Sequence, residues 1–402
     1  MNTSTDSNRS ILMLSIGEHM LENPQNDTIQ RHKRYAEEWN GTIHMLIHSK
    51  QDITREVNDR LTLYGTGCSR FGYPLNAYRK GCRIVEENNI PLIYSQDPFG
   101  TALVGRWIRS RYNTALIVGN HSEFLDNPYW IRQRPFFFSA LNQLARWNLP
   151  EADHCRVLNK LEKKKYLEDF TLAEERIHVR PTPPDVDQFR DRHDRTQLEP
   201  LRKDLDIPPD DVLYIWVGRP TPVKGLPLLF KAFRDVRTRH PDSHLLLIGQ
   251  EKHAKEDLHR SIHQKNLSQD VTWITDGVPH EELSCYYQAA DVYVHPSYYE
   301  GFGKTMVEAQ VSQCPVITSN TGGGTTIVKD GETGLIVQRD NADELSKAMN
   351  HLHRQPKRRK EEMGKRGRKR CLEQFDTETM TKQLVEIWSR TINEMRTSSC
   401  AE

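Results

Sequence analysis

Two carboxylates, Glu300 and Glu308, flank a Gly-Phe-Gly turn in the run VYVHPSYYEGFGKTMVE, with seven residues between them. The apolar stretch from Asp291 to His295 is predicted as a short buried strand that Pro296 ends. Gly301, Phe302 and Gly303 then let the backbone turn into a helix beginning near Lys304. A helix start carries about half a positive charge and several N–H groups without intrahelical partners, so a phosphate docks there. At about 1.5 Å per residue, Glu308 lies roughly 7 to 8 Å along the axis from Gly303. One carboxylate can therefore face hydroxyls on one side of a docked diphosphate while the other faces hydroxyls beyond it, the spacing a sugar nucleotide needs. An isolated pair of glutamates is more often solvated surface charge. The neighbouring segments decide between the two readings.

Upstream, VLYIWVG at 212–218 is a continuous apolar run suited to a strand buried on both faces, and it ends in Gly218-Arg219-Pro220-Thr221-Pro222-Val223-Lys224-Gly225. Ligands of open α/β sheets bind at the carboxyl ends of strands, which is where this places two fixed cations. Arg219 can fork onto two phosphate oxygens, and Lys224 supplies a point charge. Downstream, PVITSN is another short strand running into Thr321 and the glycines 322, 323 and 324, a loop expected to let backbone approach a ligand closely.

GRPTPVKG, LLLIG, VTWITDGVPHEEL, HPSYYEGFGKTMVEA, PVITSNTGGG and DGETGLIV follow one another over residues 212 to about 350. This ordered set resembles the nucleotide-sugar-binding domain of the GT-B glycosyltransferases, most closely the large retaining family numbered four (glycosyl transferases group 1). The resemblance implies an α/β GT-B fold: two Rossmann-like domains facing each other across a cleft, with a C-terminal helix crossing back to the first. It implies that Arg219 and Lys224 bind the donor diphosphate, Glu300 contacts the transferred sugar and Glu308 the ribose diol. Phe302, Gly303, Lys304 and Gly323 are then expected to line the donor seat, with the base against backbone near Thr275 to Val278. Where family members often carry a glutamate shortly after the glycine loop, this chain has Thr326.

The elements that must position these residues fit a chain of 402 residues, long enough for two domains. Strands predicted at 11–16, 42–48, 91–95 and 115–119 alternate with helical stretches such as Asp27 to Trp39, which argues for right-handed crossovers and a mostly parallel sheet. The polar, proline-containing segment 180–209 reads as a boundary. An N-terminal acceptor-binding domain is drawn at 1–195, joined by a returning helix at 376–402, and a nucleotide-sugar-binding domain at 196–375. Asn341 before Ala342, Asp343 and Glu344 reads as a capping box, and Leu384, Ile387, Trp388 and Ile392 mark the buried face of the last helix. The composition, 36% hydrophobic and 28% charged, is that of a folded polar protein. Seven scattered cysteines, none spaced CxxC, point to neither a disulfide framework nor a zinc site. No apolar run approaches the roughly 20 residues that span a bilayer. The start MNTSTDSNRS lacks the pattern of a signal peptide, so a cytoplasmic enzyme is expected.

In the first half, His121 follows the strand ALIVGN on the crevice side, and its position resembles the histidine that family members place beside the reacting sugar carbon. Asp97 also follows a strand. It either contacts an acceptor and orients His121, or caps the helix starting near Gly100. Family members often have paired glycines after the first strand; here only Gly17 can play that part. The run GTGCSRFG at 65–72 has the wrong spacing for a dinucleotide fingerprint, lacks a surrounding strand-helix unit with a distal acid, and reads as a loop.

The leaving group implied is a nucleoside diphosphate, UDP, GDP or ADP, whose charge many transferases neutralise with a divalent cation held by clustered carboxylates. Arg219, Lys224 and the helix start near Lys304 can supply the positive field, so no metal and no cofactor are expected. The family implies retention at the anomeric carbon by front-side displacement. The acceptor is a saccharide, a lipid-linked or a small polar hydroxyl compound; nucleic acid is not expected. Alternatives that remain open are a sugar-nucleotide-binding protein without transfer, or an epimerase or hydrolase on the same fold. The segment 354–370 holds ten basic and two acidic residues, net +8 against +1 for the whole chain. It is either a solvated basic helix or a peripheral contact for anionic membrane.

Overall fold

The apolar runs of the first half lack polar alternation because both faces of their sheet are covered. The computed structural model describes residues 9–399 except 24–25, 122, 124, 183, 192–194 and 255–256. It divides the chain into two units, Met1–Pro181 with Glu378–Glu402, and Thr182–Thr377. The first division therefore lies before the expected position at 195. Val186 and Phe189 account for the shift, since both are fully buried in the second unit's core with Ile207, Leu213 and Phe375.

The first unit contains β1 (Ser10–Ser15), β2 (Thr42–Ile47), β3 (Thr54–Asn58), β4 (Leu61–Gly65), β5 (Leu92–Ser95), β6 (Ala115–Gly119), β7 (His154–Val157) and β8 (Ile177–Val179). They form one sheet in the order β3-β4-β2-β1-β5-β6-β7-β8, parallel except for the antiparallel pair β3 and β4. Side chains of β1 alternate between two cores: Leu12 and Leu14 enter one, Ile11 and Met13 the other. β3, β4, β7 and β8 escape the sequence reading because they are short and carry polar residues, as in TREVN and HCRV. A strand, β4, and a helix, Tyr73–Asn88, do bracket the GTGCSRFG run, which corrects the expectation that no such unit surrounds it. The helix Asp27–Trp39 begins where predicted, its cap Asn26 accepting from Ile29 N–H at 2.9 Å.

The second unit contains β9 (Val212–Val217), β10 (Ser243–Ile248), β11 (Val271–Ile274), β12 (Val292–His295), β13 (Val316–Ser319) and β14 (Gly334–Val337). Its sheet runs β11-β10-β9-β12-β13-β14 with parallel neighbours. The chain builds outward from β9 in one direction and then restarts beside it with β12. The carboxyl ends of β9 and β12 thus form a topological switch point, where a crevice opens because the following loops turn opposite ways. Asn341 caps the helix Ala342–Arg354 as predicted, accepting from Glu344 N–H at 3.0 Å and donating back to its carboxylate at 3.2 Å.

The basic segment is a helix, Lys357–Gln374, and four of its cations are bound within the unit. Lys360 is buried and pairs with Asp291 at 3.1 Å. Arg366 donates to Glu332 O at 2.8 Å, Arg368 to Val311 O and Arg190 O at 2.6 Å each, and Arg370 to Ile327 O at 3.2 Å. The six described cysteines are free thiols, and among the described residues no helix is long and apolar enough to cross a membrane.

The last helix, Thr377–Ser399, packs with the first unit. Its Trp388 is fully buried with ring centroids 6.0, 5.8 and 6.1 Å from Tyr35, Trp39 and Tyr94. Trp388→Ala is expected to destabilise the protein by about 3 to 5 kcal/mol, the range for truncating a large buried aromatic. Urea unfolding followed by circular dichroism measures this. A loss below about 1 kcal/mol would mean the helix is not part of that core.

Candidate donor site at a switch point

Two loops meet at the carboxyl ends of β9 and β12. Gly225 ends the first in the left-handed region at φ 71°, and a Cβ there would lie 2.1 Å from Pro296 O in the second. Tyr298 N–H donates back to Val223 O at 2.8 Å. This close approach brings Lys224 Nζ to 2.5 Å from Glu300 Oε2. His295 Nε2 lies 2.8 Å from the same oxygen. An ionised carboxylate only accepts, so that nitrogen carries the proton. The Tyr293 hydroxyl sits 2.9 Å from His295 Nδ1 and 2.7 Å from Thr305 Oγ1, linking the pair to the next helix.

Burial pushes the Glu300 carboxyl up, but the Lys224 ammonium and the His295 hydrogen bond outweigh it and hold the group well below the usual carboxylate range. Burial lowers His295, partly offset by Glu300. Arg219, by contrast, is exposed, and among the described residues its guanidinium has no hydrogen bond or ion pair. The helix Lys304–Val311 starts at Gly303, which adopts φ 90° and offers no side-chain cap, and Met306 N–H bonds back to Gly303 O at 3.0 Å. Lys304 is its first, half-buried residue.

The expected contacts Phe302, Gly323 and Glu308 each meet protein groups here. Phe302 is a core residue, buried and edge-on to Phe375 at 5.3 Å. Gly322–Ile327 is a helix rather than an open loop, capped by Thr321, whose Oγ1 accepts from Gly324 N–H at 3.1 Å. Gly323 approaches protein, since its N–H donates to Glu300 O at 2.8 Å and a Cβ would lie 2.1 Å from Phe302 O. Thr326 bonds back to Gly322 O at 2.7 Å. Glu308 is only 3% exposed, accepting from the Tyr287 hydroxyl at 3.1 Å and from His280 Nε2 at 3.3 Å. The His280 side chain is 33% exposed and forms the outer cover of that carboxylate.

In the first unit, a cavity of about 310 Å³ opens at the carboxyl ends of β1, β5 and β6, lined among others by Gly17, Asp97, His121 and Arg156. Asp97 Oδ1 accepts from Phe99 N–H at 2.8 Å and Thr101 N–H at 3.4 Å, so the helix-start reading accounts for it, and burial raises its carboxyl. His121 is exposed, with the buried Arg156 guanidinium 3.5 Å from its Nε2. Arg156 is itself fixed by Arg180 O at 2.6 Å and the Tyr94 hydroxyl at 3.1 Å.

Residues 198–370 match the family model for glycosyl transferases group 1. This part of the chain is a group 1 glycosyl transferase domain. A D-inositol 3-phosphate glycosyltransferase of Corynebacterium aurimucosum is 30% identical over 205 residues, an alignment covering 50% of this chain and 48% of that one. The chain thus spans about half the length of such relatives. A GDP-mannose-dependent phosphatidylinositol monomannoside mannosyltransferase of Mycolicibacterium smegmatis is 26% identical and covers 76% of this chain and 78% of its own. Sucrose-phosphate synthase from Thermosynechococcus elongatus superposes with a TM-score of 0.80 at 21% identity, covering 96% and 99% of the two chains. HepE of Anabaena, solved with UDP and glucose, gives 0.74 at 17% identity over 95% and 99%. These likenesses establish the GT-B fold.

Within the transferase domain, His295, His280 and Tyr287 are site residues that sequence reasoning did not single out. His295 closes a strand at the switch point and was legible from that position; the pairing of His280 with Glu308 joins residues too far apart in the chain to be read. One trio of described residues, His240, Asp242 and His353, has ligand atoms within 4.8 Å of one another. It lies at the amino end of β10, the opposite end of the sheet from Lys224. The domain's large cavity, about 920 Å³ and lined by Arg202, Asp291 and Lys360, also lies at the amino ends of the strands.

Because Glu300 is depressed, the stability it contributes is complete above the unfolded carboxyl value of about 4.3 and is lost as pH falls through the folded value. The stability difference between the native protein and Glu300→Gln is expected to stay level between about pH 8 and 6 and to shrink below about pH 4. Urea unfolding across that range checks it. A difference independent of pH would exclude the ionised, paired carboxylate.

Proposed function

We propose that the protein is a glycosyltransferase that moves a hexosyl group from a nucleotide-diphosphate sugar to a hydroxyl acceptor, with retention at the anomeric carbon and without a metal. The observation that carries this reading is the Lys224–Glu300 pair at the switch point, beside an exposed Arg219 and an uncapped helix start. The donor diphosphate is assigned to Arg219, to Lys224 and to the N–H groups at Gly303 and Lys304. These fixed positive groups stabilise charge as it develops on the leaving phosphate, and they do so without reorganising. That charge is what a divalent cation neutralises in other transferases, which supports metal independence.

Donor binding exchanges partners. Lys224 turns from Glu300 to phosphate, while Glu300, still hydrogen-bonded to His295, accepts from hydroxyls of the transferred sugar. Glu308 reaches the ribose only after His280 moves aside. In the first unit, the cavity lined by Gly17 and His121 is assigned to the acceptor. The acceptor hydroxyl attacks the face from which the diphosphate leaves and passes its proton to a departing phosphate oxygen. The mannosyltransferase relative is named for a GDP-sugar and a lipid acceptor, and HepE is solved with UDP and glucose; they support the nucleotide-sugar class for this chain.

Diphosphate release from a panel of UDP-, GDP- and ADP-sugars, with and without acceptors, tests the reading. Arg219→Ala and Lys224→Ala are each expected to lower turnover by about 10² to 10³, or about 3 to 4 kcal/mol. Activity is expected to persist in excess EDTA, and loss restored by Mg²⁺ would exclude the metal-free assignment. Glu300→Ala is expected to bind free nucleoside diphosphate no more weakly than the native protein in calorimetry, since Lys224 is released, while the intact donor binds less. Equal losses for both ligands would reverse the assignment of Glu300 to the sugar.

A further inference from the structure

An apolar surface stands on the first unit, on the two helices that follow β6. The helices Pro128–Gln133 and Pro135–Asn148 follow β6 and carry PYWIRQ and PFFFSALNQLARWN. Phe136 is 92% exposed, Trp147 54% and Phe137 46%. Soluble proteins rarely leave such aromatics in one contiguous stretch unless something covers them. The inner face is firmly seated. Asn148 donates to Phe99 O at 2.9 Å, Asn142 accepts from Asp126 N–H at 3.2 Å, and Ala145 is fully buried. The outward display is therefore a built feature of the fold.

The outer rings form a connected set. Trp130 lies 5.1 Å from Tyr129 and 5.7 Å from Phe138, which lies 5.2 Å from Phe137. Cations edge it: Arg134 sits 4.6 Å from the Phe137 ring and Arg106 is 4.0 Å from the Trp147 ring. Residues 128–148 contain Arg132, Arg134 and Arg146 and no acidic residue.

We propose that this helical pair docks on an anionic lipid surface, with Phe136, Phe137 and their neighbours entering the acyl boundary and Arg132 and Arg134 meeting the headgroups. The charge pattern selects this occupant. Arg146 pairs with Asp126 at 2.8 Å and Arg106 with Glu151 at 3.7 Å, which leaves Arg132 and Arg134 without an acid among the described residues; a second copy meeting the same face would set these two against their own images, whereas anionic headgroups complement them and aromatic rings favour the interface. The basic helix Lys357–Gln374 is the poorer membrane surface, because four of its cations are bound within the fold and its apolar residues face inward. Only the purpose of the docking, delivery of a lipid-linked acceptor to the first unit, rests on the transferase reading.

Co-sedimentation with vesicles decides the matter, and it needs neither donor nor acceptor, so its failure leaves the transferase reading untouched. The protein is expected to pellet with phosphatidylglycerol-containing vesicles at low salt and far less with phosphatidylcholine alone. Phe136→Ser with Phe137→Ser is expected to weaken binding about tenfold or more at an unchanged melting temperature. Arg132→Gln with Arg134→Gln is expected to remove the preference for anionic lipid. Lys357→Gln with Arg358→Gln and Arg359→Gln is expected to bind like the native protein. The proposal is overturned if the native protein stays in the supernatant, if the phenylalanine variant binds undiminished, or if only the lysine-arginine variant loses binding. It is equally overturned by a dimer in sedimentation velocity that the phenylalanine variant dissolves while vesicles go unbound.

Discussion

An ammonium and a carboxylate facing each other in a half-buried crevice impose the constraint on which the second unit is built. Either charge alone in that place carries a desolvation cost, and the pair removes most of it. Keeping the pair at 2.5 Å requires the loops after β9 and β12 to touch, which is why Gly225 lies against Pro296 and why Tyr298 bonds to Val223. The third loop is drawn in by the same need: Gly323 packs under Phe302 and donates to Glu300 O. Three strand ends are thus fixed by contacts that only glycine permits, and a ligand finds the crevice already shaped.

The same constraint gives the proposed site its economy of charge. In the free protein Glu300 is satisfied by Lys224 and His295 together. In the proposed exchange a diphosphate takes Lys224 while His295 remains, so the carboxylate never stands without a donor. Preorganised groups of this kind act without the reorganisation that water would demand.

Much of the second unit was legible because its functional residues sit in contiguous runs at strand ends. VLYIWVG and VYVHP announce buried parallel strands, and the loops after them carry Arg219, Lys224 and Glu300 within a few residues. What the sequence could not convey was what each residue faces. Phe302 sits between two glycines that turn toward the crevice, yet its ring points into the core. Gly323 belongs to a run that suggests open backbone, yet the backbone it meets is protein. Glu308 lies one helical turn past the anion seat, but Tyr287 and His280 come from a different helix and a different turn to enclose it. In the first unit the short strands β3, β7 and β8 carry too many polar residues to show a period, so their place in the sheet comes from neighbours rather than from their own pattern. Asp97 shows the limit from the other side: two readings fitted the residue type equally, and hydrogen bonds to Phe99 and Thr101 separated them.

The return of the last helix has a consequence for how the chain is made. The second unit is one continuous stretch of chain, so it can close as soon as Thr377 has left the ribosome. The first unit is not continuous. Tyr35, Trp39 and Tyr94 emerge early, but the side chain that fills the space between them, Trp388, is made only after the whole of the second unit. The usual order, in which the N-terminal domain folds first as it is synthesised, is therefore inverted for the final step. The first unit holds an open aromatic seat while the second completes itself, and a chain stopped short of Trp388 would carry a finished second unit and a half-closed first one.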